Sequence, residues 1–587
     1  PWLIYTNLQG GVFMITDMRS GGTRRVHPYP NRIGSAGDAM LGHQYRFNWD
    51  APIHISPHDP SVVYIGGNHV FVSRDYGHSW DELSPDLTTQ DTVKQLTSGG
   101  QIYQDNTAAE FHTTILTIAE SPIEAGVIWV GTDDGNLWIT RDGGAGWTNI
   151  TDNVDMPEYS WIAKIDVSHF DAGTAYIAVD QHRMDDFTPH VYRATDYGRR
   201  ATDLSGGLPQ DDYVKVVRED TRNPNLLYVG MERGLFASWD QGDTWVDIRN
   251  GLPPVSVRDI QIHPVANDLI IGTHGRGVYI MDDIAPLQNL STAMASDVYL
   301  FEARSAVRWQ TGGRDASFGQ RTYRAQNPPT GAIVNFYLAE ASKLPVEFTV
   351  ADAAGNTVRT WSDSNAKAGV NRTAWNLRAD GPDPIPGQGG GGGGGFGGFG
   401  GGGPFVVPGN YTVTMSAAGQ ELSTMVTVRA DPRIDVPQGD YLAQWNAAID
   451  LSGLTSQVHM MIGASNDLET QVTNLMQALD ESDGDLKAAC SSALDEIEAF
   501  KDWLTYPPPR MGYRQRPRLR EELRSLMRSI TGVASRPTEA EMVRLGELQE
   551  ETADAVATFN QMLDITIRDL NNSAGQFPRI MIDRPIP

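Results

Sequence analysis

A short turn pattern recurs along the first half of this chain, and it constrains the fold more than any other feature. Ser73, Asp75, Gly77 and Trp80 form one copy. Thr140, Asp142, Gly144 and Trp147 form a second, and Ser238, Asp240, Gly242 and Trp245 a third. A fourth keeps Asp196 and Gly198 but has Ala194 and Ala201 where the hydroxyl and the tryptophan would stand. The spacing suits a hairpin turn. The hydroxyl and carboxylate cap backbone N–H groups, glycine supplies a positive φ, and the indole seals the turn against its sheet. These aspartates are therefore expected to shape turns and to do no chemistry.

Each turn sits in a longer unit. Upstream lies a strand ending in Gly66, Gly131, Gly230 or Gly272, preceded by strands at Ala51–Ser56, Thr114–Ala119, Ile162–Val167, Val214–Arg218 and Asp259–His263. Four antiparallel strands repeating roughly every 40–65 residues read as propeller blades. Five full blades are expected between about 45 and 290, within a region spanning 1–292. Residues 1–30 read as the outer strands of an earlier blade without its inner strand. Such an incomplete ring calls for upstream blades, from the same precursor or from another chain. The first residue, Pro1, implies processing or truncation.

After a linker at 293–329 the pattern changes. Six alternating segments between Ala332 and Val428 predict an immunoglobulin-like β-sandwich over 330–432. The glycine tract at 387–403, carrying Phe396 and Phe399, reads as a mobile loop. From 438 to 575 the apolar spacing becomes helical, as in Leu451, Leu454, Val458 and Met461. Thr538 and Glu541 form a capping box for the last helix, and Tyr506 to Pro509 break the middle. A bundle of three or four helices follows, with a tail at 576–587. The fold class is thus mainly β, with propeller blades, a sandwich and a helical bundle.

Charge narrows the partners. Forty-six basic against 73 acidic residues leave −27, which repels nucleic acid and anionic lipid. Cys490 is the only cysteine, so no disulfide forms within the chain. No apolar run approaches the ~18 residues of a membrane span.

The turn pattern is that of the Asp box, or BNR repeat. With the segment from Asp50 to Pro57 and the ending from Gly272 to Asp283, the chain resembles the bacterial BNR-repeat proteins related to the Vps10/sortilin propeller. Many of these are called glycosyl hydrolases by similarity alone. The resemblance implies a bacterial, extracytoplasmic protein, whether periplasmic, surface-bound or secreted. It covers 1–290 firmly and the rest loosely, and the cysteine-rich module that follows the sortilin propeller is absent.

Propeller ligands bind where inner strands converge. Candidates at the strand starts are Arg46, Asn48, Trp49, Trp161, Lys164, Lys215, Arg258 and Asp259 for binding, with Asp50, Glu110 and His112 for catalysis. All could equally satisfy strand ends. Asp180, His182, Asp185 and Asp186, with His190 nearby, have spacing that could hold a divalent metal or simply face solvent. No cofactor is expected. A sialidase would show Arg-Ile-Pro, but Arg32 and Ile33 precede Gly34; a serine hydrolase would show its Gly-x-Ser-x-Gly elbow. Two functions stay open. One is an exported scaffold that binds a protein, peptide or glycan within a larger assembly. The other is a glycoside hydrolase with a carboxylate pair at the channel mouth.

Overall fold

The computed structural model describes residues 2–30, 43–97, 99, 102–104, 109–310, 325–386, 403–506, 516–575 and 577–582. It divides into two units, Pro1–Ser291 and Thr292–Pro587.

The first unit is a succession of small antiparallel sheets, each made of consecutive strands. Four sheets have four strands and start with Ile53–Ile55, Ile115–Glu120, Trp161–Val167 and Val214–Glu219. A three-stranded sheet precedes them (Leu3–Leu8, Val12–Asp17, Gly22–Arg25), and another follows (Val257–Ile262, Leu269–Thr273, Val278–Met281). From the third sheet to the sixth, the first strand of each touches the first strand of the next. First strands therefore crowd inward and later strands fan outward, as in propeller blades. The last blade differs from expectation, since it stops at three strands. Ala285–Gln288 then turns as a short helix, and Gln288 Nε2 donates to Asp220 of the fifth sheet at 3.0 Å.

The apolar core of this unit is divided into clusters, each filled from two neighbouring sheets. Two glycine sets make that close approach possible. A Cβ on Gly131 would come within 2.5 Å of Ile162, and one on Gly230 within 2.5 Å of Val257, in each case on the next inner strand. In the recurrent turns, a Cβ on Gly144 would strike Leu83, and one on Gly242 would strike Leu204, both in the preceding sheet's outer edge.

In the second unit, Val298–Leu300, Ala332–Leu338 and Gly369–Trp375 form one sheet. Ala306–Arg308, Gln420–Ala430, Gly409–Ala417, Val346–Ala351 and Thr357–Asp363 form the other. Both fill one core, where Phe348 packs between Phe336 and Trp361. The expected linker thus contributes a strand to each sheet. Ala306–Arg308 pairs in parallel with Gln420–Ala430, a long-range partnership that alternation within 293–329 does not announce. Most of the glycine tract lies outside the described residues, as does the Pro-rich break from 507.

Four longer helices follow: Gln438–Ala478, Gly484–Leu504, Leu519–Thr531 and Glu539–Met562. They share one apolar core. The capping box is present, with Glu541 N donating to Thr538 Oγ1 at 3.2 Å and Thr538 N to Glu541 Oε2 at 2.8 Å. Buried Arg308 ties the sheets to the helices by donating to Gln444 Oε1 at 2.6 Å. Among the described residues no helix is long and apolar enough to cross a membrane.

Candidate functional site

The inner strands carry a shared irregularity. Pairing with the second strand skips one residue in four consecutive sheets, namely Leu116, Ala163, Lys215 and Arg258. Such a bulge kinks the strand and re-aims the extra side chain. All four line a single cavity of about 1180 Å³ among the inner strands. A pocket of this size exceeds the usual range for a small molecule, roughly 300–1,000 Å³.

Nearly all the strand-start candidates meet there. Asn48, Trp49, Asp50, Glu110, His112, Trp161, Lys164, Lys215, Arg258 and Asp259 line the cavity. Arg46 does not. Its guanidinium donates to Asp86 at 2.6 Å, to Thr88 at 3.1 Å and to the Thr113 carbonyl at 3.2 Å, so it braces two loops. Asn48 is itself buried and donates to the Phe111 carbonyl at 2.9 Å and to Asp133 at 3.3 Å.

The proposed metal residues part company. Asp180 lines the cavity, but His182, Asp185 and Asp186 do not. Asp180 is taken by Lys215 Nζ at 2.6 Å and by His182 Nδ1 at 2.5 Å, whereas Asp186 pairs with His190 at 2.9 Å. Asp185 serves as a left-handed turn residue, at φ 63°. Among the described residues, no three His, Cys, Asp or Glu side chains converge on a point where a cation would sit.

Several lining residues were not among the candidates. His54, Asp166, Arg183 and Arg218 line the cavity too, as does His274, which its glycine-flanked turn marks only as structural. Arg218 lies between Asp166 and Asp259, the latter at 3.3 Å, with Lys164 3.4 Å from Asp259. Burial pulls the Asp259 carboxyl up, but Lys164 and Arg218 outweigh it and hold the group below its ordinary range. Asp180 is buried as well, and the Lys215 ammonium holds it low. Burial, with Lys164 and Arg218 nearby, drives His54 down to about 4. That imidazole is neutral and accepts the Glu120 N–H at 3.1 Å. For His112, burial opposes the charge, yet the buried Asp133 carboxylate 3.4 Å away pushes its pKa up.

The turn aspartates lie elsewhere. Asp75 Oδ1 accepts from His78 N and Ser79 N, both at 2.9 Å; Asp142 Oδ1 accepts from Gly146 N, and Asp240 Oδ1 from Thr244 N. Ser73 Oγ accepts from Gly77 N at 2.7 Å and donates to Asp75 at 2.8 Å, and Thr140 and Ser238 repeat the pattern. None of the three aspartates lines the cavity. The tryptophans pack into the apolar clusters that their own sheet shares with the preceding one. Trp147 donates to the Leu83 carbonyl at 3.2 Å and Trp245 to the Leu204 carbonyl at 2.9 Å, so each bonds to the preceding sheet and not to its own. The fourth turn, without hydroxyl or indole, places Asp196 and Tyr197 at positive φ and closes through Gly198 N and the Thr195 carbonyl.

No family model and no curated protein matches this chain. Among solved structures it is similar to YCF48 bound to D1 peptide, at 12% identity and TM-score 0.30, over 46% of this chain and 71% of that one. It is also similar to the GH74 xyloglucanase from Xanthomonas campestris, at 13% identity and TM-score 0.35, over 72% of this chain and 77% of that one. The GH74 enzyme of Niastella koreensis gives 15% identity and TM-score 0.32, over 73% of this chain and 65% of that one. These neighbours are β-propellers, and likenesses at this level bear on neither ligand nor reaction.

Proposed function

We propose that the first unit is an extracytoplasmic binding protein of the Asp-box, Vps10/sortilin-like kind, whose ligand enters the cavity among the inner strands. The ligand is a peptide, a protein segment or a glycan. The second unit, an immunoglobulin-like sandwich with a helical bundle, supplies docking surface for a larger assembly. One observation supports binding over hydrolysis. Three of the cavity carboxylates, Asp166, Asp180 and Asp259, are already engaged by Arg218, Lys215 and Lys164, whereas a glycosidase needs a carboxyl that donates its proton to the leaving group. Glu219, pushed up to about 7 by burial, faces Ser168, the His169 N–H and Tyr176 between the fourth and fifth sheets and does not line the cavity.

A glycoside hydrolase remains the second reading, because Asp50 and Glu110 do line one cavity together with Trp49 and Trp161. Inverting enzymes hold such a pair about 6.5–9.5 Å apart. Incubating the protein with β-glucans and sialosides separates the two. No release of reducing sugar, together with saturable binding that Trp161→Ala abolishes, is the expected outcome. Turnover lost in both Asp50→Ala and Glu110→Gln would replace the binding reading with the hydrolytic one.

A further inference from the structure

The bulges put an equivalent residue from each of four sheets into the cavity, and the series changes character around it. Leu116 and Ala163 are apolar, whereas Lys215 and Arg258 are cationic. Lys215 is committed, because its side chain is 3% exposed and its ammonium lies 2.6 Å from Asp180. Arg258 is different. It is exposed, and among the described residues no hydrogen bond or ion pair engages its guanidinium.

Charge is unevenly spread over the lining. The fourth to sixth sheets and their loops bring Lys164, Arg183, Lys215, Arg218 and Arg258 against Asp166, Asp180 and Asp259, whereas Asp50, Glu110 and Glu120 come from the second and third sheets and the segments leading into them. Asp180 is shared by Lys215, His182 and, at 3.6 Å, Arg183, while Arg183 also lies 3.9 Å over the Trp161 ring. The excess of cations on that one side attracts an anion locally, beside Arg258. A guanidinium fork without a partner matches a carboxylate in both shape and charge.

The remaining lining selects what carries that carboxylate. Trp49, 50% exposed, offers an aromatic face, and Asp50 and Glu110 offer oxygens that accept hydroxyl protons. A pyranose presents a C–H face and several hydroxyls, and a uronic acid adds one carboxylate to each ring. An acidic peptide would bring the anion without the row of hydroxyls that Asp50 and Glu110 can accept from. We infer that Arg258, with Lys164 and Arg183, forms a carboxylate subsite, and that the cavity takes a uronic-acid-bearing oligosaccharide. This rests on the binding reading above.

Titration calorimetry on the full chain tests it, with tetragalacturonate, its carboxyl-reduced neutral counterpart, and a peptide bearing a free C-terminal carboxylate as probes. The acidic sugar is expected to bind at least about tenfold more tightly than the neutral one, with affinity falling as salt rises. Arg258→Gln is expected to shrink that preference to within about threefold. Lys164→Gln should weaken the acidic sugar in the same direction and by less. Equal affinity for the two sugars, or a preference that survives Arg258→Gln, overturns the subsite. Binding of the peptide or neutral sugar alone, abolished by Trp161→Ala, overturns the uronate inference and leaves the binding reading standing. No binding of any probe overturns the inference, and turnover of a glycan overturns the reading beneath it.

Discussion

The first unit holds two sets of aspartates by different means. On the outer turns, Asp75, Asp142 and Asp240 are held low by neutral partners a few residues away, the hydroxyls and N–H groups of their own turns. Among the inner strands, Asp166, Asp180 and Asp259 are held by Lys164, Lys215 and Arg218 from other sheets. The outer set is self-sufficient and sits in solvent. The inner set depends on the assembled unit, and its buried members Asp166 and Asp180 would lose charge compensation if Arg218 or Lys215 were removed. Local devices can be repeated and can decay singly, as the fourth turn shows, whereas the inner network stands or falls together.

The sharpest way to break this contrast is Lys215→Met, which removes the buried ammonium from Asp180 and leaves it only His182 and the more distant Arg183. Denaturant unfolding followed by tryptophan fluorescence should show a loss of about 3–5 kcal/mol, and Asp180→Asn in the same chain should restore much of it. Recovery of none of the loss would mean that the lysine stem, and not its charge, matters.

Next comes the buried Glu219. Its folded-state value near 7 lies above the ordinary 4.5, so the folded chain holds this proton more tightly than the unfolded one. Its contribution is therefore full below about pH 4.5 and declines as pH rises through 7, by about 2–3 kcal/mol. Glu219→Gln should flatten that decline in unfolding curves taken between pH 4.5 and 8. An unchanged slope would assign the pH dependence elsewhere. Asp180 and Asp259 act with the opposite sign, since their depressed values favour folding above the unfolded pKa and release that stability as acid is added.

On the outer side, Ser73→Ala removes an acceptor for Gly77 N and a donor to Asp75, and about 1–2 kcal/mol should be lost. Ser238→Ala should cost a similar amount, and the double variant should lose the sum, because distant independent sites add. Marked non-additivity would couple the turns and erase the contrast with the inner network. The smallest effect belongs to Arg258→Gln, which should change stability by under about 0.5 kcal/mol, since the side chain is exposed and engages no carboxylate among the described residues. A larger loss would place Arg258 in the inner network.

How much could be read in advance follows the same division. Hydroxyl, carboxylate and glycine lie within four residues of one another, so the turn geometry was legible from spacing alone. The cavity was legible only as a set of strand starts, and Arg46 was misplaced among them because Asp86, its partner, lies forty residues on. Arg218 and Asp166 left no local trace, since neither spacing nor residue type announces a salt bridge between sheets. The bulges at Leu116, Ala163, Lys215 and Arg258 also escape alternation, because a skipped residue is defined by its partner strand and not by its own. Asp180 and Asp186 fit either a metal site or a solvated loop in sequence, whereas in the structure they point to Lys215 and His190 respectively.

By itself, then, the amino-acid order determined the recurring corners, the alternation of strands and the switch to helical spacing after the sheets, all of which depend on neighbours within a turn or two. Tertiary structure alone decided which side chains share the cavity, why Gly131 and Gly230 must lack a Cβ, and that Trp147 and Trp245 bond to the sheet before their own. Those outcomes require segments tens of residues apart to arrive at the same place, and chain connectivity leaves that meeting unspecified until the sheets pack.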